Sequence, residues 1–165
     1  MKKAMESYLP HSGEMVLIDE ILEVTSDFVV TKMLVKNHRI FCENTLDSTP
    51  LKAESNADST QRLCFPTHKS IELMAQSLGV FRHIHESTSG QSKQNKLGFL
   101  LGARRFAIKS PFIKNEAIIK AKLQMQDSSG VSIWECEVYE NDVLVAKATL
   151  SVLNPSDDFI AQMQD

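Results

Sequence analysis

The chain has 165 residues, 42% apolar and 24% charged, with a net charge of −3. That length fits a single domain, residues 1–165, with a core of its own, and six Gly, five Pro and a mixed composition exclude collagen-like and wholly disordered classes. The mild acidity and the lack of a Lys/Arg stripe argue against a dedicated nucleic-acid binder, whose affinity would rest on neutralising phosphates.

In chain order, Met1 to Ser7 is short, polar and charged, unlike a targeting signal, and no apolar run is long enough to cross a bilayer. A cytoplasmic protein is expected. Val16–Val24 and Asp27–Val35 are rich in β-branched residues and read as a strand hairpin across Thr25-Ser26. Residues 43–63 are crowded with Ser, Thr, Asp, Asn, Glu and Lys and read as a long polar loop. Ile71, Met74, Ala75, Leu78, Phe81 and Ile84 then recur at three- and four-residue steps, which predicts a helix started near Pro66-Thr67 and ended by the polar run 86–96. Its broad stripe and small residues Ala75 and Gly79 suit a central helix packed closely on a sheet.

The second half reads as strands. Leu97–Ile108 is apolar, and Gly98 and Gly102 within it suggest close approach to the helix. Ala117, Ile119, Ala121, Leu123 and Met125 alternate with mostly polar residues, placing one face in the core. Ser128-Ser129-Gly130 is a turn before Val131–Tyr139, and Glu140-Asn141-Asp142 a turn before the alternating Leu144–Val152. Residues 154–165 form a short acidic tail. The order predicts an α+β fold, an antiparallel sheet of about six strands wrapped around one long helix. Such a sheet has open edges, and pairing two copies edge to edge hides one of them, so a homodimer is expected.

Cys42, Cys64 and Cys136 lack metal-ligand spacing and fit free thiols in a reducing compartment, with a Cys42–Cys64 bridge as the alternative. No phosphate-cradling glycine loop is present, and His83 and His85 fall on different helix faces, so neither a cofactor nor a metal is expected.

Three fragments then point to one family. Tyr8-Leu9-Pro10-His11 with Met15-Val16-Leu17-Ile18-Asp19-Glu20, then Ile71-Glu72-Leu73-Met74-Ala75-Gln76, then Gly98-Phe99-Leu100-Leu101-Gly102 with Ala103-Arg104-Arg105 resemble, in this order, signatures of bacterial 3-hydroxyacyl-acyl-carrier-protein dehydratases. The resemblance is nearest to the dehydratase-like proteins of aryl-polyene gene clusters. It implies a hotdog fold and dehydration of a 3-hydroxyacyl thioester, carried by acyl carrier protein or coenzyme A, to the trans-2-enoyl product. The chain also departs from the family: fatty-acid dehydratases carry Gly-His-Phe-Pro-Gly before the helix, where this chain has Leu63-Cys64-Phe65-Pro66-Thr67-His68.

Dehydration needs a base for the C2 proton, an acid for the leaving hydroxyl and a donor for the enolate-like oxygen. Glu72, at an apolar helix start that would favour the protonated carboxyl, fits the acid; the rival reading is a charge complementing the helix N-terminus. The resemblance favours the catalytic role. His11 is the expected base, with His68, one helical turn before Glu72, as the alternative and His38 behind both. Gln76, one turn on from Glu72, would orient it or bond to sheet backbone. His68, Gln76, Gly98 and Gly102 make up the expected substrate-binding set. Cys64 reads as a small buried residue rather than a nucleophile. Arg104, Arg105, Lys109 and Lys114 form a candidate basic patch for an acidic carrier protein, or a solvated strand end. A hotdog thioesterase and a catalytically weak acyl-binding subunit paired with an active dehydratase are the rival functions.

Overall fold

The computed structural model of the chain describes residues 5–46, 61–88 and 98–155. Six strands match the periodic segments: β1 (Glu20–Val24), β2 (Phe28–Leu34), β5 (Phe99–Ile108), β7 (Glu116–Gln126), β8 (Val131–Glu140) and β9 (Val143–Leu153); the two-residue β6 (Phe112–Ile113) falls outside them. All but β6 form one six-stranded antiparallel sheet in the order β1-β2-β7-β8-β9-β5. The six-strand expectation holds. Its first strand starts later than Val16, because Val16–Ile18 are fully buried but unpaired in the ladder.

The polar stretch 43–63 is not a loop throughout. Its ends are β3 (Glu43–Leu46) and β4 (Gln61–Pro66), paired antiparallel with Glu43 opposite Cys64, and β4 continues onto β6. β3 is polar, and backbone pairing tolerates such side chains, so the apolar signal was missing there; β4 opens with polar Gln61 and Arg62 and then carries Cys64 and Phe65 into the core. Residues 47–60 lie outside the described residues.

The turns follow local chemistry. Asn141 and Asp142, both at positive φ (49° and 62°), make the two-residue link between β8 and β9. Asp127 Oδ1 accepts from the Ser129 and Val131 amides and the Ser129 hydroxyl, closing the β7–β8 turn. Gly130 there has φ +87°, and a Cβ on it would lie 2.4 Å from the Asn154 carbonyl oxygen, so only glycine fits. Asn154 in turn donates its amide to Gly130, so the expected tail begins with an anchored residue; residues 156–165 lie outside the described ones.

One helix, α1 (Ser70–Thr88), crosses the sheet after a 3-10 turn at Thr67–Lys69. Leu73, Met74, Ser77 and Val80 are buried on it, and it packs against β2, β7, β8 and β9. A hydroxyl pair locks this contact: Ser77 donates to the Leu73 carbonyl, so Thr31 of β2 donates to Ser77 at 2.7 Å. Facing it are Val29, Met33, Ile119, Ala121, Cys136, Val138, Ala148 and Leu150, all in the core. Met125 was expected in that face but is 50% exposed, because a register shift between Leu123 and Met125 turns the strand end.

The helix is apolar over more than its sheet face because a second layer covers it. The segment from Met5 to Ile18 lies along α1: Tyr8 meets the His83 ring edge-on at 5.1 Å, Leu9 rests on Gly79, and Met15 and Leu17 bond to Gln76. Leu9, Val16, Leu17 and Ile18 are buried by this arrangement, at roughly 1.5–3 kcal/mol for each large side chain.

Candidate active site

The N-terminal strap brings His11 to the start of α1. His11 Nε2 stands 3.7 Å from Glu72 Oε1, an ion-pair distance longer than a hydrogen bond. Glu72 Oε1 also accepts from Gln76 Nε2 at 2.9 Å, one helical turn along. Gln76 is buried and fully used: its Oε1 accepts from the Leu17 amide and its Nε2 donates to the Met15 carbonyl, both at 2.8 Å. A flipped amide would set its NH2 against the Leu17 N–H, so this orientation is the one that satisfies all three contacts. Both readings of Gln76 therefore hold together. It bonds buried backbone and it orients Glu72.

One expectation needs correction. Glu72 is 44% exposed, so the apolar seclusion expected of it is not supplied by its own chain. His11 is 35% exposed at its side chain, yet its Nδ1 is buried with no hydrogen-bond partner among the described residues. An imidazole so placed, with one nitrogen toward a carboxylate, can exchange a proton across the gap when a substrate or a water lies between.

The remaining candidates are scattered. His68 is exposed on the 3-10 turn, while the histidine at ion-pair distance from Glu72 is His11. Gly98 precedes β5 rather than lying inside it, and a Cβ there would sit 3.4 Å from Arg82 Nη1 of the helix. Gly102 has open space where a Cβ would stand, so its expected close approach to the helix does not occur; it lies where the β5–β9 register shifts. His83 and His85 are docked on neighbouring groups: His83 on Tyr8, and His85 with Nε2 at 2.8 Å from the Thr25 carbonyl and its ring against Phe81. The three cysteines are free thiols. Cys64 is buried on β4 beside the Thr45 hydroxyl, and burial pushes the Cys136 thiol up to about 12.

One pair went unpaired in the sequence reading. His38 is fully buried, with Nε2 at 2.8 Å from Asp19 Oδ2. Asp19 also accepts from the Leu34 amide and from Asn37 Nδ2. Burial alone would raise this carboxyl, but the hydrogen bonds from His38, Leu34 and Asn37 outweigh it and hold Asp19 below its ordinary value. The available signal was an aspartate inside the apolar run Val16–Ile21, where an unpaired charge would be costly. The clamp fixes the turn between β2 and β3. It does not touch Glu72.

The sequence matches the ApeP-like family, described as ApeP dehydratase, over residues 3–164. No curated protein matches it. Among solved structures it is similar to the dehydratase heterocomplex ApeI:P from Xenorhabdus doucetiae, with 23% identity, a TM-score of 0.72, and 98% of this chain and 97% of that chain covered. It is also similar to a mutant thioesterase enzyme from Staphylococcus aureus, at 13% identity and a TM-score of 0.54, covering 81% of this chain and 90% of that one. A protein from Pseudomonas aeruginosa matches at 14% identity and a TM-score of 0.53, over 89% and 95% of the two chains. The antiparallel sheet around one helix is the hotdog fold that the three fragments implied.

Proposed function

The chain belongs to the ApeP-like dehydratase family and dehydrates a 3-hydroxyacyl thioester, and we propose that the thioester is borne by an acyl carrier protein in aryl-polyene-type synthesis, with His11 as base and Glu72 as acid. The observation that carries these roles is the 3.7 Å approach of His11 to Glu72, the one His–carboxylate meeting at the start of α1 among the described residues. His11 Nε2 takes the C2 proton as the C2=C3 bond forms. The C3–O bond breaks, and the hydroxyl leaves as water with the proton of Glu72. The proton then returns from His11 to Glu72 across the short gap, directly or through one water. The positive end of α1 favours the charge that develops on the thioester oxygen.

A second subunit completes this reading. β5 is an edge of the six-stranded sheet and exposes Leu100, Leu101 and Ile108, at 44%, 56% and 43%. An apolar edge strand calls for a partner, and the half-open Glu72 calls for a further wall. A second copy of this chain is the proposed partner. A different subunit is the second reading, favoured by the heteromeric assembly of the Xenorhabdus doucetiae relative.

The test is hydration of a trans-2-enoyl thioester, on carrier protein and on coenzyme A, followed by loss of enoyl absorbance, with free thiol titrated in parallel. Hydration without thiol release is expected. Thiol release without hydration would identify a thioesterase, and neither would identify an acyl-binding subunit. Light scattering should give twice the chain mass of 18.5 kDa; a mass of 18.5 kDa at micromolar concentration would refute self-association.

A further inference from the structure

A cleft opens away from His11 and Glu72. It holds about 550 Å³, in the range of small-molecule sites. Leu34, Val35 and Leu63 form apolar walls, and Lys36, Arg39, Arg62 and Lys114 line it with Glu116 as the single carboxylate. These cations come from four separate stretches: the 3-10 turns after β2 (Val35–Asn37 and Arg39–Phe41), β4, and the β6–β7 link. Of the basic patch expected from sequence, only Lys114 belongs here; Arg104 and Arg105 lie on edge strand β5.

The cleft has a fixed frame. Asp19 holds the Leu34 amide, Asn37 and His38 at 2.6, 2.7 and 2.8 Å, all in the buried clamp that carries Lys36 and Arg39. Val35 donates its amide to the Asn115 carbonyl, tying that turn to the side bearing Lys114. A carboxylate buried in this way orders a turn that exposes Lys36 and Arg39, so the cationic groups start from a rigid backbone.

We propose that this cleft is a phosphate-binding site that holds the phosphate end of the pantetheine-linked thioester. The inference rests on the thioester dehydratase reading above. Converging cations over apolar walls fit an amphipathic anion, with charge-assisted hydrogen bonds to its oxygens. The reach is also suitable. From Leu63 the chain passes through Pro66 and the turn Thr67–Lys69 to Glu72. At roughly 3.3 Å per strand residue, 2 Å per 3-10 residue and 1.5 Å per helical residue, that path is at most about 20 Å. An extended pantetheine arm spans a comparable distance, so its phosphate can rest in the cleft while its thioester reaches Glu72.

The phosphate is common to coenzyme A and to the carrier-linked prosthetic group, and the test separates them. Calorimetry with 4′-phosphopantetheine and with pantetheine, which differ by the phosphate alone, should show about tenfold or greater preference for the phosphorylated compound. The double variant Lys36→Glu with Lys114→Glu, two exposed positions outside the catalytic pair, should abolish that preference. Equal binding of the two compounds by the wild type, or a preference kept by the variant, would overturn the site. In hydration assays the variant should raise KM with little change in kcat, for whichever of the coenzyme A and carrier-linked substrates seats its phosphate here. Its rate on a truncated thioester without phosphate should match the wild type. A wild type inactive on every thioester would sink the dehydratase reading, while the binding comparison would still decide the cleft.

Discussion

Leu9 lies so close to Gly79 that a Cβ on the glycine would come within 2.9 Å of Leu9 Cδ2. This contact sets the strap's register on α1, and two positions further along the chain His11 arrives at Glu72. Shape at one helix position thus places His11 at another.

Glu72→Gln should remove hydration and dehydration activity by about 10²–10⁴-fold while the protein stays folded. The side chain is partly exposed, and the loss of its charge near the helix N-terminus costs about 0.3–1 kcal/mol. Turnover near the wild-type value, with a normal circular dichroism spectrum, would leave Glu72 only its helix-capping role.

His11→Ala and His68→Ala separate the two candidate bases. Loss confined to His11→Ala, in kcat rather than KM and of about 10²–10⁴-fold, is expected. Loss confined to His68→Ala would reverse the assignment, since His68 would then act from its exposed turn.

Gln76→Leu keeps the volume of the side chain but strands the Leu17 amide and the Met15 carbonyl, both held at 2.8 Å. A buried amide and a part-buried carbonyl left without partners should cost roughly 2–4 kcal/mol. Thermal unfolding should fall by about 5–15 °C in a chain of this size. Activity at a temperature where the variant is still folded should also drop, because Glu72 loses its orienting donor. Unchanged stability would mean that water replaces the amide.

Acid should weaken the Asp19 clamp. The folded carboxyl titrates below its unfolded value, so its contribution is complete above the unfolded pKa and is lost as pH falls through the folded pKa, below about pH 4. Asp19→Asn should lower the melting temperature at neutral pH and flatten its decline in this acid range. Parallel wild-type and variant curves between pH 5 and pH 2 would show that Asp19 does not carry the acid sensitivity (about one to two units on either side of the ordinary carboxylate value).

Gly130→Ala should destabilise by roughly 2–3 kcal/mol, because an L side chain meets both a positive φ and a backbone oxygen 2.4 Å away. Chemical denaturation measures it directly. A loss under about 0.5 kcal/mol would mean that the turn relaxes around Asn154.

Much of the scaffold was legible in the sequence because its signals are local. Alternation marks β7, β8 and β9, and three- and four-residue spacing marks α1; Asn141-Asp142 and Gly130 mark the turns. The misses share one cause. Polar β3 gains its order from pairing with β4, and Met125 leaves the core at a register shift, and neither effect has a signature in a short window.

By itself, then, the sequence determined the periodic elements, the helix bearing Glu72 and Gln76, and the three ordered fragments that point to the family. Only the tertiary structure decided which histidine meets Glu72, how His38 is consumed by Asp19, and where Lys36, Arg39, Arg62 and Lys114 converge. Each of these joins residues distant along the chain. Periodicity reports which face of an element is buried, whereas the partner on that face is set by how the strap, helix and sheet pack against one another.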